Sequence, residues 1–348
     1  MTKRVKIVCE NNGQCVEVKA DTSLLELLQQ LDVESKYPIL AAYVNNEFKD
    51  LNYRIYKPVT VRFIDISHFE GYRVYQRTIS FILQKAVADL YTSIASRPAL
   101  QPLHAAVLKF TLYAMGIGYS EHSDRNGERR WLNELHRRLG GLDRRAVIFD
   151  VGANVGDYAH EVNEVFGEKA NLHCFEPSKA TFEELTRRTA AIEGVVLNRL
   201  GVGSATTSAT LYTDGEGSTL ASMYPRDLER FDRSMDQTET IELASVDDYC
   251  RTRSINHIDL LKLDIEGNEL EALRGATQMI DEGRIDYIQL EFGATTLAAR
   301  VTFHDLWTLL SPKFELYRIL KHGLHPIRRY EEACEVFMYQ NLVAIRRK

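Results

Sequence analysis

The chain opens with short runs in which apolar and polar residues alternate. Val5 to Cys9 and Cys15 to Lys19 alternate around Asn11-Asn12-Gly13, a hairpin signal. Asp21-Thr22-Ser23 then precedes Leu24, Leu25, Leu27, Leu28 and Leu31, which predicts a capped amphipathic helix. Ala41 to Val44 and Thr60 to Ile64 read as further strands, so hairpin, helix and strands follow one another, the order of a ubiquitin-like β-grasp unit. From residue 72 to 140 the period becomes helical. Ile79, Ile82, Leu83, Ala86, Val87 and Leu90 share one face; Leu103, Ala106, Val107, Phe110 and Leu112 share another. Arg97-Pro98 separates the two helices, and Gly116-Ile117-Gly118 ends the second. After Arg145 strand and helix patterns alternate. Ala146 to Val151 is a strand, Val155 to Phe166 a helix, Asn171 to Phe175 a strand, and Val195 to Leu200 another. Such alternation predicts an α/β fold with a mostly parallel sheet and helices on both faces.

Composition narrows the classes. A length of 348 residues suits about two domains of ordinary size. No apolar run approaches the roughly 20 residues a spanning helix needs, and MTKRVKIVCENNGQ carries no apolar core of a secretory signal. Five scattered cysteines without a C-x-x-C pair argue against a disulfide framework or zinc cluster and for a reducing, cytoplasmic setting. A net charge of −6 argues against a dedicated nucleic-acid binder.

Two stretches carry candidate chemistry. FDVGANVGDY, Phe149 to Tyr158, reads as a buried strand that ends in a small-residue turn; Gly152 and Gly156 leave room for a ligand against the backbone and for close strand–helix packing. Asp150 sits where a carboxylate can meet the cationic end of a ligand, and Asn154 lies in the turn itself. Glu176 ends the next strand, where it can accept from ribose hydroxyls or simply favour a helix N-terminus. Gly201-Val202-Gly203 follows the third strand and can flank a base. DLLKLDIEGNELEALRGA, Asp259 to Ala276, reads as another buried strand that ends in two acids, Asp264 and Glu266. Two residues apart on extended chain, they would face one side. They can hold a substrate hydroxyl, act as general base, bind a divalent ion, or position the cofactor or loop. Glu291, after Ile285 to Leu290, lines the same edge. Scattered histidines show no metal-ligand spacing, and no metal is expected. The turn lacks G-x-G-x-x-G, and no hydride-transfer set is recognisable, which leaves an NAD-dependent oxidoreductase as a weaker alternative.

Taken together, the two stretches resemble those of S-adenosylmethionine-dependent methyltransferases. Residues 103–348 are similar to the FkbM family on Gly127-Glu128, VIFDVGANVGDY, HCFEPS, GSTLAS (Gly217 to Ser222), SVDDY (Ser245 to Tyr249), LLKLDIEGNELEAL, IQLEFG (Ile288 to Gly293), FELYRI, GLHPI and NLVAI. The resemblance implies a Rossmann-like class I sheet and O-methylation of sugars or secondary metabolites, with S-adenosyl-L-methionine as cofactor. Asp150, Gly152, Asn154, Gly156, Glu176 and Val202 would bind that cofactor, and Asp264, Glu266 and Glu291 would serve catalysis. Gly217 to Tyr224 and Gly293 to Val301 are expected on the acceptor side, with His322 and His325 on a nearby loop.

The N-terminal part carries a second resemblance. YPILAAYVNNEFKDLNYRI, Tyr37 to Ile55, is similar to the TGS domain of threonyl-tRNA synthetases, and Glu70 to Tyr91 resembles the segment after it in nucleoside-kinase-like proteins. The kinase phosphate loop and the synthetase catalytic core are absent from the chain. The expected organisation is therefore a TGS-like β-grasp domain at 1–66, a helical connector at 67–102 and a methyltransferase domain at 103–348. Expected partners are a small-molecule or glycan hydroxyl acceptor, and a protein partner or second copy through the TGS-like domain. Neither a membrane nor a nucleic acid is expected, although an RNA- or nucleotide-directed methyltransferase or regulatory binding protein stays as the alternative.

Overall fold

A computed structural model describes residues 3–90, 96–118, 126–215, 217–218, 220–226 and 233–347. Tyr91 and Thr219, which belong to two of the motifs above, lie outside them. The chain divides into two compact units, residues 1–105 and 106–348.

The first unit holds β1 (Arg4–Cys9), β2 (Cys15–Lys19), β3 (Thr22–Ser23), α1 (Leu24–Leu28), β4 (Ala41–Val44), β5 (Glu47–Asp50), β6 (Arg54–Ile55), β7 (Val59–Ile64) and α2 (Phe69–Leu90). Its main sheet runs β2-β1-β7-β4-β5, with β1 and β7 parallel. Ser23 and Glu26 form a reciprocal capping box that starts α1: the Glu26 amide donates to Ser23 Oγ at 3.2 Å, and the Ser23 amide donates to Glu26 at 2.8 Å. Leu24 and Leu27 then bury themselves with Ile7, Val61 and Phe63. The helix stops at Leu28, one turn short of the predicted apolar run, although Leu31 is still buried. The helical-period positions Ile79, Ile82, Leu83 and Val87 of α2 are exposed.

The helix α3 (Gln101–Ala114) leads into the second unit, which continues with α4 (Glu128–Leu139), β8 (Ala146–Val151), α5 (Asp157–Phe166), β9 (Ala170–Phe175), α6 (Lys179–Thr189), β10 (Val195–Asn198), β11 (Gly201–Val202), β12 (Thr207–Thr213) and β13 (Gln237–Ala244). Then come α7 (Val246–Arg253), β14 (Ile258–Leu263), α8 (Glu269–Arg274), α9 (Thr277–Asp281), β15 (Ile285–Phe292), α10 (Ala294–Ala298), α11 (Phe303–Leu310), β16 (Phe314–Leu320), β17 (Gly323–Ile327) and β18 (Gln340–Arg346). The main sheet has eight strands in the order β10-β9-β8-β14-β15-β18-β16-β17. The first five are parallel; β18, β16 and β17 add antiparallel at one edge, an extension the alternating pattern did not announce.

Helices cover both faces, and the side chains of each strand divide between them by alternation. Ile148, Leu172 and Leu260 meet Trp131 and Leu132 of α4, Val162 of α5 and Leu185 of α6 on one face. Phe149, Leu261 and Leu263 meet Tyr249 of α7, Leu273 of α8 and Phe303 and Leu306 of α11 on the other. Every residue of β14 is buried, as expected of a central strand sandwiched on both sides. A small three-stranded sheet, β11-β13-β12, stands beside the main one and packs Leu211, Ile241 and Leu243 together. Strand order reverses between β8 and β14, and the crevice at the carboxyl ends there is where an open α/β sheet takes its ligand.

All five cysteines are free. Among the described residues, no helix is long and apolar enough to cross a membrane. The one group there with metal-ligand geometry is His257, Asp259 and Asp286, at the amino ends of β14 and β15, opposite the crevice. Its carboxylates are already taken: Arg144 holds Asp259 through two bonds of 2.6 and 2.9 Å, and Arg346 holds Asp286 at 2.7 Å. This is an ion-pair cluster that ties strand ends together.

Candidate active site

A cavity of about 320 Å³ opens at the carboxyl ends of the central strands, within the usual range of roughly 300–1,000 Å³ for small-molecule sites. Val151 and Gly152 after β8, Phe175 and Glu176 after β9, Asp264 after β14, and Glu291 at the end of β15 line it. Five acids reach its wall (Glu128, Glu176, Asp264, Glu266 and Glu291), and no basic side chain does among the described residues. Such a wall favours a cationic ligand.

The turn after β8 is built for close approach. Gly152 has φ +83°, and a Cβ there would lie 1.9 Å from the carbonyl oxygen of Asp264. The amides of Gly152 and Ala153 both donate to the Phe175 carbonyl, at 3.0 and 2.9 Å, which ties the turn to β9. Asn154 follows with φ +47°; its amide donates to Glu176 at 3.2 Å, and its side-chain Oδ1 is buried without a partner. Gly156 does not line the cavity. It has φ +95° and starts α5, where a Cβ would press on Leu185 and Thr189 at 2.9 Å.

Glu176 accepts from the amides of Asn154 and Ser178, the latter at 2.9 Å, and lines the cavity. Burial pushes its carboxyl up to about 7 against the pull of those two amides. Val202 forms an apolar wall with Gly201, Leu211, Ile241 and Leu243, suited to the flat face of a base. Leu220, Ala221, Ser222 and Met223, from the loop expected on the acceptor side, close this same cavity. That loop is latched down: Ser222 Oγ donates to the Glu266 carbonyl at 2.7 Å, Tyr224 to Asn268 at 3.1 Å, and Arg226 to Glu266 at 2.9 Å. Gly293 to Val301, by contrast, contributes nothing to the lining.

Asp150 sits elsewhere than expected. It is fully buried, does not line the cavity, and meets Lys262 of the neighbouring strand at 3.2 Å, because register places Asp150 opposite Lys262. Lys262 also reaches Asp264 at 3.2 Å and lies 4.7 Å from the ring centroid of Tyr158. One buried cation thus compensates an acid below the floor and an acid on the wall. Asp150 Oδ2 has no partner, and burial pushes the Asp150 carboxyl up against the opposing pull of Lys262.

The pair Asp264 and Glu266 also departs from the extended-chain expectation. Strand β14 ends at Leu263 and Glu266 takes φ +55°, so the chain is not extended there, yet both residues line the cavity. Glu266 pairs with Arg226; burial raises its carboxyl to about 8, with Arg226 opposing. Asp264 keeps 41% of its side chain exposed to the cavity. Burial and the nearby Asp264, Glu266 and Glu269 charges hold the Glu291 carboxyl well above its ordinary range.

Three contributors were given no site role from the sequence, although Glu128 lies within the Gly127-Glu128 match. Glu128 enters the cavity from α4, accepts from Asn126 at 2.6 Å and Gln289 at 2.8 Å, and is pushed by burial up to about 7. Tyr339 reaches it from just before β18. Lys262 was visible as the one cation in an apolar strand, but its partners depend on register. His322 and His325 line a separate cavity.

The donor set fits a nucleoside with a cationic amino-acid tail. There is a backbone cradle that no side chain could share, an orphaned amide oxygen at Asn154, a ribose-type carboxylate at Glu176, an apolar wall for the base, and further acids beyond it. Such a ligand carries a consequence for pH. Below about pH 7 Glu176 and Glu128 are increasingly protonated, so cofactor affinity is expected to rise about tenfold from pH 6 to pH 8, and Glu176→Gln to flatten the profile; titration calorimetry in buffers of different ionisation enthalpy checks both. The folded-state values of these acids lie above their unfolded ones. Their stabilising contribution is therefore present below about pH 4 and lost as pH rises through 7 to 8. The ligand-free protein should melt lower at pH 8 than at pH 5, and the cofactor should reverse the trend.

Comparison with known proteins agrees with this site. Residues 150–319 match the model of the methyltransferase FkbM domain. Hexuronic acid methyltransferase AglP of Haloferax volcanii is 28% identical over 148 residues, 42% of this chain and 56% of that protein. Methyltransferase 1 of Beauveria bassiana is 26% identical over 147 residues, 37% of this chain and 58% of that protein. The chain thus spans a little over half the length of these relatives. A threonine–tRNA ligase of Clostridium kluyveri is 28% identical over 83 residues, 24% of this chain and 13% of the ligase. The SAM-dependent methyltransferase of Agrobacterium tumefaciens superposes with a TM-score of 0.37 at 9% identity, covering 65% of this chain and 63% of that one. Motifs, cavity and family model agree that the chain carries an S-adenosylmethionine-dependent methyltransferase domain, similar over residues 150–319 to the FkbM domain.

Proposed function

We propose that the chain is a cytoplasmic O-methyltransferase that methylates a hydroxyl of a sugar, glycan or secondary metabolite. The observation that carries this reading is Asp264, a half-exposed carboxylate on the wall of the cofactor cavity with Glu291 on the same wall. A hydroxyl is a weak nucleophile, and a carboxylate placed to take its proton assists transfer. The similarity to a hexuronic acid methyltransferase supports a sugar acceptor.

When bound, S-adenosylmethionine supplies an electrophilic methyl group. Gly152 and Asn154 would receive it on the backbone side, Glu176 would hold its ribose, Val202 would face the base, and Glu128 and Glu266 would complement its positive end. Asp264 accepts the hydroxyl proton. Lys262 and Glu291 orient the Asp264 carboxylate, which takes up that proton. Orientation of the acceptor oxygen supplies much of the remaining acceleration.

S-adenosylhomocysteine release over a panel of sugars, with NMR of the product formed from carbon-13-methyl cofactor, tests the reading. A methyl ether signal supports it; transfer to nitrogen or sulfur, or release with no sugar in the panel, sinks the O-methylation claim.

We read the N-terminal unit as TGS-like, an accessory module that docks a protein partner or a second copy. The order of its strands and the 83-residue similarity to a threonine–tRNA ligase support this. The same similarity favours one second reading, RNA-directed methylation, which retention of the chain on RNA at physiological salt would support and free passage would dismiss.

A further inference from the structure

A second cavity, of about 410 Å³, lies beside the first and shares one wall residue with it, Tyr339. The end of α3, with Tyr113 and Gly116, forms one side, and the β16–β17 hairpin, with Lys321, His322 and His325, forms the other. Its charge is opposite to that of its neighbour. No carboxylate lines it among the described residues, whereas five line the first cavity. A site for a cation therefore adjoins a site that complements an anion.

The dividing wall has a defined polarity. The Tyr339 hydroxyl accepts from the side-chain amide of Asn126 at 3.0 Å and from that of Asn341 at 2.9 Å. A phenol has two acceptor lone pairs and one proton. Both lone pairs are filled, so only the proton remains to be given, and no described residue receives it. Asn126 is itself fixed: its second amide hydrogen goes to Glu128 at 2.6 Å, and its carbonyl accepts from the Glu128 amide at 3.0 Å. Asn126 is thus a strut between an acid of the first cavity and the hydroxyl shared by both.

We propose that the second cavity is the acceptor subsite and takes an anionic sugar, with the Tyr339 hydroxyl donating to a sugar oxygen at the wall and Lys321, His322 and His325 holding the acidic group at the rim. This rests on the methyltransferase reading above. The wall turns the acceptor oxygens toward Glu128, Asp264 and Glu291, and the rim anchors the ring at its far end. The anion is a carboxylate, as in a uronic acid, or a phosphate ester; the rim chemistry is the same for both.

The test uses the full chain saturated with S-adenosylhomocysteine and three probes: methyl β-glucuronide, glucose 1-phosphate and methyl β-glucoside, titrated by ligand-observed NMR. The two anionic sugars should bind at least about tenfold tighter than the neutral one, and the tighter of the two identifies carboxylate or phosphate. Lys321→Glu should abolish that preference with cofactor affinity unchanged, and Tyr339→Phe should weaken all three sugars by about tenfold. Equal binding of charged and neutral sugars, no binding of either anionic sugar to the loaded protein, or unchanged affinities in Lys321→Glu would overturn the proposal and leave the methyltransferase reading standing. Failure of the wild type to bind S-adenosylhomocysteine would overturn both.

Discussion

Replacement of Asp264 by Asn should leave cofactor affinity within a few-fold and lower kcat by about 10²–10⁴-fold, the usual contribution of a positioned general base. The geometry separates the two effects. Asp264 presents its exposed edge to the cavity, while its inner oxygen meets Lys262. The amide keeps the volume and can still turn its oxygen toward Lys262, so the floor survives and only proton acceptance is lost. Glu291→Gln provides the contrast. Burial and the neighbouring acids hold the Glu291 carboxyl well above its ordinary range, so an isosteric amide in its place should cost kcat less than about tenfold. Lys262→Met is a different kind of variant. It leaves Asp150 buried without a counter-charge, and removal of one partner from such a pair costs about 3–5 kcal/mol. The discriminating data are kcat and cofactor Kd measured side by side on Asp264→Asn and Glu291→Gln. Full turnover in Asp264→Asn would remove Asp264 from the proton path, and an equal loss in Glu291→Gln would move the base to Glu291.

The sequence exposed what is local and hid what depends on register. Strands β8 and β14 were visible as apolar runs, and their buried positions agree with the pattern. The small-residue turn Gly152-Asn154-Gly156 and the acid Glu176 were legible because each follows a strand end directly, where an open sheet places its ligand. Asp150 was misplaced because its role depends on what lies opposite. Alternation sends Phe149 and Val151 to one face and Asp150 to the other, where the pairing of β8 with β14 delivers Lys262. Glu266 reaches the same cavity as Asp264, but not by the period-two route, because the chain abandons extended geometry at Glu266 itself. Glu128 was visible only within the Gly127-Glu128 match, with no role attached, and no local rule marked Tyr339. They converge from α4 and from the edge of β18, far apart along the chain, and meet only through Asn126. The antiparallel edge β18-β16-β17 was missed for a related reason: edge strands carry weaker apolar periodicity than a sandwiched strand such as β14.

The second large effect is expected at Gly152. Ala at this position should destabilise the catalytic unit by about 2–5 kcal/mol and remove measurable cofactor binding. Two independent costs meet there. The backbone has φ +83°, a left-handed conformation that costs a residue with a Cβ roughly 1–2 kcal/mol. The added Cβ would also lie 1.9 Å from the carbonyl oxygen of Asp264, which belongs to the backbone and has no rotamer through which to retreat. Relief requires the turn after β8 to separate from the end of β14. That separation strains the bond from the Asp264 amide to the Val151 carbonyl, 3.0 Å, which joins the two strand ends. It also shifts Asp264 itself, so the cofactor cradle and the proposed base move together. At Gly156 the added Cβ would meet Leu185 Cδ1 and Thr189 Cγ2 at 2.9 Å. Those are side-chain atoms that can shift, so Gly156→Ala should destabilise less despite its φ of +95°. Thermal melts of the three proteins with and without S-adenosylhomocysteine decide the matter. Gly152→Ala should melt lowest and gain nothing from the ligand, whereas Gly156→Ala should keep a ligand-induced rise. A Gly152→Ala protein that melts like wild type and gains the same rise would show that the crossing of the two strand ends is not the fixed point on which cofactor and base both rest.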